Sequence, residues 1–193
     1  TIALTLSNIA FVEYAKGNRK EAFGLLRESL DMSRRVLGRE HPEVGGRATN
    51  LALWLVEAGQ FEEAAGLVDE GLAIRRKALG PEHPLVAGAL TVKANLMLAT
   101  RQYDAARMLA AEAQRILALS LPVDAWQIAF AMNAEGAAQE KLGKYEEAER
   151  LLLTSRDGLD KAPLPGLPEQ GRVRLVELYT AWGKPEQAAK FRR

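Results

Sequence analysis

Along this chain apolar residues return every three or four positions, block after block, and Gly or Pro interrupts the blocks at regular intervals. Between Glu43 and Ala58, Leu51, Ala52, Leu55 and Val56 recur at helical spacing, and Gly59-Gln60 follows as a stop signal. A second stripe runs from Phe61 to Ala78. Phe61, Ala64, Leu67, Val68 and Leu72 fall on one side of it, and Glu62, Glu63, Asp69, Glu70, Arg75 and Arg76 are expected outside. Its acidic residues gather in the first turns and its basic ones near the end, as the helix dipole favours. Gly80-Pro81-Glu82-His83-Pro84 then breaks the chain, because a residue before proline is pushed out of the helical region. Read this way throughout, the pattern predicts ten helices, at 2–16, 19–36, 43–58, 61–78, 85–100, 103–119, 124–142, 145–160, 169–182 and 185–192. No segment alternates as a strand does, so the predicted class is all-α.

The blocks are copies of one another. Ala22, Ala64, Ala106 and Ala148 stand 42 residues apart, each inside a phrase such as Gly59-Gln60-Phe61-Glu62-Glu63-Ala64 or Gly143-Lys144-Tyr145-Glu146-Glu147-Ala148. A fifth copy, ending at Ala188, follows after 40 residues. Each of the first four alanines is followed three residues later by a leucine (Leu25, Leu67, Leu109, Leu151) and four further on by a small residue (Ser29, Gly71, Ala113, Ser155). Twelve residues before the alanines stand Ala10, Ala52, Ala94, Gly136 and Val176. Two junctions share the wording Leu37-Gly38-Arg39-Glu40-His41-Pro42 and Leu79-Gly80-Pro81-Glu82-His83-Pro84; a third, from Leu121 to Trp126, keeps only the spacing. Register held over so many copies implies a stack of like units, so function is expected on an extended surface rather than in one buried pocket.

Composition narrows the classes. A chain of 193 residues with 48% hydrophobic and 26% charged residues suits a soluble globular protein. Its formal net charge of +1 gives no footprint for nucleic acid or an anionic membrane. No apolar run approaches the ~20 residues of a spanning helix, and the absence of Cys excludes disulfides and thiolate metal sites. A cytoplasmic location is expected. Helical pattern starts directly after Thr1 with no signal peptide, which reads as a fragment lacking its N-terminal neighbour.

In the order small residue, Gly-x-aromatic-x-x-Ala, Leu, small residue, the chain resembles the tetratricopeptide repeat, whose usual unit is about 34 residues. The 42-residue unit ending in Leu-Gly-x-Glu-His-Pro resembles the kinesin-light-chain-like subtype. It departs from that pattern at Arg19 and Pro185, where an aromatic is usual, and at Arg101, where glycine is. Lys93 and Glu135 replace the apolar residue seen as Ile9 and Leu51. The resemblance implies a right-handed α–α superhelix of about four and a half to five helix–turn–helix repeats. Four stacked repeats would fill 1–162 and a Pro-rich bend 163–168, with Pro163, Pro165, Gly166 and Pro168. A shorter capping pair would fill 169–193, with Lys184, Glu186, Gln187, Lys190, Arg192 and Arg193 as its polar face. The shared alanines would sit at close helix crossings, the shared leucines would anchor the core, and Phe61, Tyr103 and Tyr145 would wedge between units.

No catalytic motif is present: no Gly-x-Ser-x-Gly elbow, phosphate-cradling glycine loop, His-Glu-x-x-His or calcium loop. His41 and His83 occupy equivalent junctions, so an interhelix spacing of ~8–10 Å should separate them. Zinc needs each nitrogen at ~2 Å; the two are expected to cap or pack in their own turns. No metal or other cofactor is expected, and no enzymatic activity. Asparagine is a poor mid-helix residue, yet Asn8, Asn50, Asn95 and Asn133 all lie inside predicted first helices. In the resembled family first helices line a concave groove whose asparagines grip a peptide backbone through amides that both donate and accept. That makes these four the candidate peptide contacts, against a role in bonding the next helix or water. Arg174 is a lone candidate for an anionic contact. The family's basic clamp for a terminal carboxylate is not matched, since its places hold Ser7 and Phe11, Asn50, then Gly88 and Val92. The expected function is a non-catalytic scaffold binding a protein or peptide segment in its groove, with neither nucleic acid nor membrane as partner. The alternative is an intramolecular regulatory or self-association module of a larger signalling protein, acting through outer-face residues such as Arg75 and Arg76.

Overall fold

The structure, a computed structural model, describes residues 2–164 and 166–192. Among the described residues there are ten helices and no strand. They are α1 (Ile2–Ala15), α2 (Arg19–Leu37), α3 (Pro42–Glu57), α4 (Phe61–Leu79), α5 (Pro84–Ala99), α6 (Tyr103–Ala118), α7 (Trp126–Lys141), α8 (Tyr145–Asp160), α9 (Leu167–Ala181) and α10 (Pro185–Ala189). Contacts group the chain into two compact units, residues 1–92 and 93–193, with the division inside α5. In the first unit α1 packs on α2, α3 on α4, and α2 also on α3. In the second, α7 packs on α6 and α8, and α9 on α7, α8 and α10. α2 and α8 therefore each cover their own partner and the next first helix, the arrangement by which stacked helix pairs bury a continuous apolar face.

The alanine register marks the tight crossings. Ala22, Ala64, Ala106, Ala148 and Ala188 are fully buried, as are Ala10, Ala52 and Ala94 in the first helices. At Gly136 a Cβ would come within 2.8 Å of Leu152 Cγ, and at Gly71 within 2.5 Å of Thr49 Oγ1, so these copies tolerate nothing larger. The leucine anchors are displaced from expectation. Leu25, Leu67 and Leu109 are only half-buried, whereas Leu26, Val68, Ala110 and Leu152, one residue further on, are buried together with Leu151. Four residues after the alanine the helix has turned ~400°, closer to the same face than the ~300° reached after three. Tyr145 does lie between elements: its ring stacks on Trp182 at 5.7 Å, against the cluster of Ala148, Leu152, Leu175, Leu178 and Ala188. α1 differs from α3. Ile2, Ile9 and Val12 are exposed, while their equivalents Val44, Leu51 and Trp54 are buried.

Junction chemistry sets the helix starts. α3 and α5 begin at Pro42 and Pro84 themselves, one residue earlier than the pattern predicts, because proline at the first helical position loses no hydrogen bond. α7 starts only at Trp126, after the Leu121–Asp124 turn, and α10 stops at Ala189. The bend is shorter than 163–168: α9 begins at Leu167 and takes Pro168 into its first turn, following Gly166 at φ 90°. Pro165 lies outside the described residues, as does Arg193 of the expected polar cap, whose Glu186, Gln187, Lys190 and Arg192 are exposed. Arg101 has φ 62°, matching Gly59 at 75° and Gly143 at 76° in the same turn. The turn geometry is thus kept where the glycine is not.

Candidate functional site

Two of the five expected contact residues stand apart from the other three. Asn8 on α1 and Asn50 on α3 are exposed and belong to the first unit. Asn95 on α5, Asn133 on α7 and Arg174 on α9 meet in the second. Arg174 Nη1 donates to Asn133 Oδ1 at 2.6 Å, and its Nη2 donates to Asn95 Oδ1 at 2.7 Å. Asn133 Nδ2 in turn donates to Ser155 Oγ on α8 at 3.4 Å, and that hydroxyl donates to the carbonyl of Leu152 at 3.0 Å. One guanidinium thus joins three first helices, reaching 79 positions back along the chain.

Repeat positions explain this gathering. Ser7, Thr49, Thr91 and Asn133 follow one another at 42-residue steps. The first three hydroxyls donate to their own helix, to the carbonyls of Ala3, Gly45 and Ala87 at 3.2, 2.8 and 3.0 Å. The longer amide of Asn133 instead reaches α8 and α9. Arg174 shares a column with the exposed asparagines. Since Ala188 follows Ala148 by 40 residues, Arg174 aligns with Ala134, which follows Asn50 by twice 42. Asn8, Asn50 and Arg174 therefore occupy one position of the first helix. Gly171, one turn before Arg174, allows the close approach: a Cβ there would come within 2.8 Å of Leu159 Cδ1 and 3.8 Å of Asn133 Nδ2.

The electrostatics of the cluster are unusual for an arginine. Its amide partners are buried, Asn133 at 0% exposure and Asn95 at 5%, and Arg174 itself is half-buried. Burial pushes the guanidinium down to about 10, with Glu177, one turn further along α9, acting weakly the other way. Among the described residues Arg174 makes no ion pair; both partners are neutral amide oxygens. A desolvated charge held by neutral acceptors is costly in isolation and is well disposed to take an anion, since guanidinium donors match carboxylate geometry.

Other expectations resolve differently. His41 Nδ1 accepts the backbone N–H of Glu43 at 3.2 Å and His83 Nδ1 that of Leu85 at 3.1 Å, so both imidazoles cap the helix they precede. Among the described residues no group of His, Cys, Asp or Glu is placed to hold a metal ion. Arg75 is not on an outer face. It is 8% exposed, donates from Nη1 to the carbonyl of Leu85 at 2.8 Å, and burial pushes its guanidinium down to about 10. Its position, four residues after Gly71, returns it to the buried stripe, and Gly46 leaves room for it: a Cβ there would lie 3.0 Å from Arg75 Nη2. The adjacent pair Gly45-Gly46 inside α3 was the available sequence signal for that buried cation. The outer sides of α2 and α4 are joined instead by Arg27–Glu63 at 2.7 Å and Arg34–Glu70 at 2.6 Å. Among the described residues no helix is long and apolar enough to cross a membrane.

Comparison with known proteins bears on this arrangement. The family model for the tetratricopeptide repeat matches residues 1–77 and 46–118. No curated protein matches the chain by sequence. Among solved structures, the kinesin-light-chain protein of Podosopora anserina with nearly identical TPR-like repeats superposes with a TM-score of 0.71 at 23% identity, over 97% of this chain and 89% of that one. BtubC (BKLC) of P. vanneervenii superposes with a TM-score of 0.70 at 20% identity, over 97% of this chain and 75% of its own.

Proposed function

Because the chain belongs to the tetratricopeptide repeat family, we propose that it is a non-catalytic scaffold holding an extended protein or peptide segment along the groove formed by its first helices. The observation that carries this reading is the shared position of Asn8, Asn50 and Arg174. Three polar side chains share one repeat position on α1, α3 and α9, the first two exposed and the third fixed by Asn95 and Asn133, while buried Val92 and Ala134 hold that position on α5 and α7. An exposed amide inside a helix is a weak helix former but can bridge the N–H and C=O of an extended backbone. Arg174 supplies a donor for an anionic group of the same segment. A near-neutral chain favours a protein partner over nucleic acid or an anionic membrane. Binding through the outer faces is less supported, because Arg75 is buried and Arg27 and Arg34 are engaged in ion pairs between α2 and α4.

The test begins with a random-peptide display library panned against the immobilised protein, followed by calorimetry of the enriched peptides against wild type and an Asn8→Ala/Asn50→Ala double variant. Each neutral hydrogen bond contributes ~0.5–1.5 kcal/mol, so losing both should weaken binding roughly five- to a hundredfold. Alanine is the better helix former, so stability should hold. Unchanged affinity in the double variant would remove the groove reading.

A further inference from the structure

Arg75 stands at a core position. Its counterparts at 42-residue steps, Ser33, Leu117 and Leu159, are all buried, and leucine fills the place in two of the other copies. The guanidinium makes one hydrogen bond among the described residues, from Nη1 to the carbonyl of Leu85. Among those residues no carboxylate pairs with it: burial alone lowers its pKa, and Glu43 of α3 is engaged with Arg47 at 3.3 Å. Its surroundings are positive too. Gly46 lies near the start of α3 and Leu85 in the first turn of α5, so the positive ends of two helix dipoles approach one buried cation. An uncompensated buried charge is strongly destabilising, and packing alone gives no reason for it where leucine serves elsewhere.

The side of the guanidinium left without acceptors is the side that oxyanions fit. Nε and Nη2 form a fork for two oxygens, and Arg27 uses that fork on Glu63 at 2.8 Å from Nε and 2.7 Å from Nη2. In Arg75, Nε is buried without a partner and Nη2 makes no hydrogen bond among the described residues. Gly46 keeps room beside them. A Cβ there would lie 3.0 Å from Nη2 and 4.0 Å from Cζ, and within 4 Å it would meet no other atom of a neighbouring helix. Gly46 is itself half-buried, so this space opens toward solvent.

We propose that Arg75 binds a small free oxyanion of the inorganic phosphate class, seated over Gly46 between α3, α4 and the first turn of α5, with Nη2 the donor it meets first and Nε on the same edge. This site stands apart from the groove reading, because at 8% exposure the guanidinium lies too deep for the backbone of a partner segment. A bound oxyanion gives the buried cation its counter-charge and supplies acceptors that the fold does not. It therefore favours the folded chain and ties α3, α4 and α5 together.

Inorganic phosphate titrated calorimetrically into the protein, in chloride buffer at fixed ionic strength, tests the site, with thermal melts in the same buffers. The wild type should show one saturable phosphate site. At ten times the dissociation constant, phosphate should raise Tm by roughly 3–6 °C. Comparison with variants separates this shift from the general stabilisation phosphate gives to folded proteins. Arg75→Met should lose both the saturable heat and the added shift. Gly46→Ala keeps the guanidinium but fills the space over it, so phosphate should bind about tenfold more weakly or worse; it tests the site even if the methionine variant fails to fold. Arg76→Met, which removes the exposed cation next along the chain, should bind as wild type does. Absence of a saturable site in the wild type overturns the assignment and leaves Arg75 a buried tie to Leu85. Undiminished binding by a folded Arg75→Met or Gly46→Ala protein overturns it as well, as does loss of binding in Arg76→Met.

Discussion

Two glycines in α4 separate what a repeat asks of its backbone from what it asks of its packing. Gly66 has nothing within 4 Å of the place a Cβ would take, whereas at Gly71 that Cβ would lie 2.5 Å from Thr49 Oγ1 and 2.7 Å from the backbone oxygen of Gly45. Either alanine substitution gains the same helix propensity, ~0.5–1 kcal/mol, so Gly66→Ala should raise stability by that amount. At Gly71 the neighbours cannot give way cheaply. Thr49 Oγ1 donates to the Gly45 carbonyl at 2.8 Å and is buried, so rotating it forfeits that bond. The Gly45 oxygen belongs to the backbone of α3, so α3 and α4 would have to part. Overpacking of this kind costs ~1–3 kcal/mol, leaving Gly71→Ala net destabilised by up to about 2.5 kcal/mol. The difference between the variants, ~1–3 kcal/mol, corresponds to a gap of roughly 2–12 °C in Tm for a chain of this size. Thermal melts followed by circular dichroism at 222 nm would read it directly. Equal melting temperatures would mean that α3 and α4 do not approach at Gly71, and the small-residue register would lose its physical basis.

Three further outcomes follow from particular side chains. Ala64→Leu forces added atoms into a fully buried crossing and should cost ~1–3 kcal/mol; an unchanged melting temperature would show that the shared alanine marks no contact. Arg101→Gly should raise stability by about 1 kcal/mol in the same melts, because Arg101 is held at φ 62°, a region that penalises any side chain with a Cβ; a loss would mean that its side chain contributes more than its backbone costs. Tyr179 donates to Glu149 Oε1 at 2.8 Å, and burial first, then that bond, raises its hydroxyl from 10.0 to about 12. The protonated form is the one the fold favours, so this stabilisation is complete below pH 10 and fades toward pH 12. Denaturant midpoints across that window should fall more steeply for wild type than for Tyr179→Phe, and parallel curves would refute the assignment.

The polar residues of the site were visible in the sequence singly, and their grouping was not. Asn8 and Asn50 could be paired because they stand one repeat apart. Asn95 and Asn133 occupy different repeat positions, and Arg174 sits in a unit shortened by two residues, so no fixed period linked them. Arg75 shows the same limit. Its charge pointed outward, whereas the space left by Gly46 and the carbonyl of Leu85 drew it inward.

The sequence by itself determined the helix number, the all-α class, the repeat and the alanine crossings. Helical periodicity, proline and glycine stops and recurring small residues are properties of short stretches of chain, and repetition multiplied each signal. Tertiary structure alone decided which of two adjacent residues in α2, α4 and α6 is the core anchor, since both lie near one stripe and the neighbouring helix chooses between them. It alone held Arg101 in the glycine conformation, because the flanking helices impose the turn whatever residue fills it. It alone joined Arg174 to Asn95 and Asn133, because a hydrogen bond across 79 positions depends on how helices stack, and no local pattern encodes that distance.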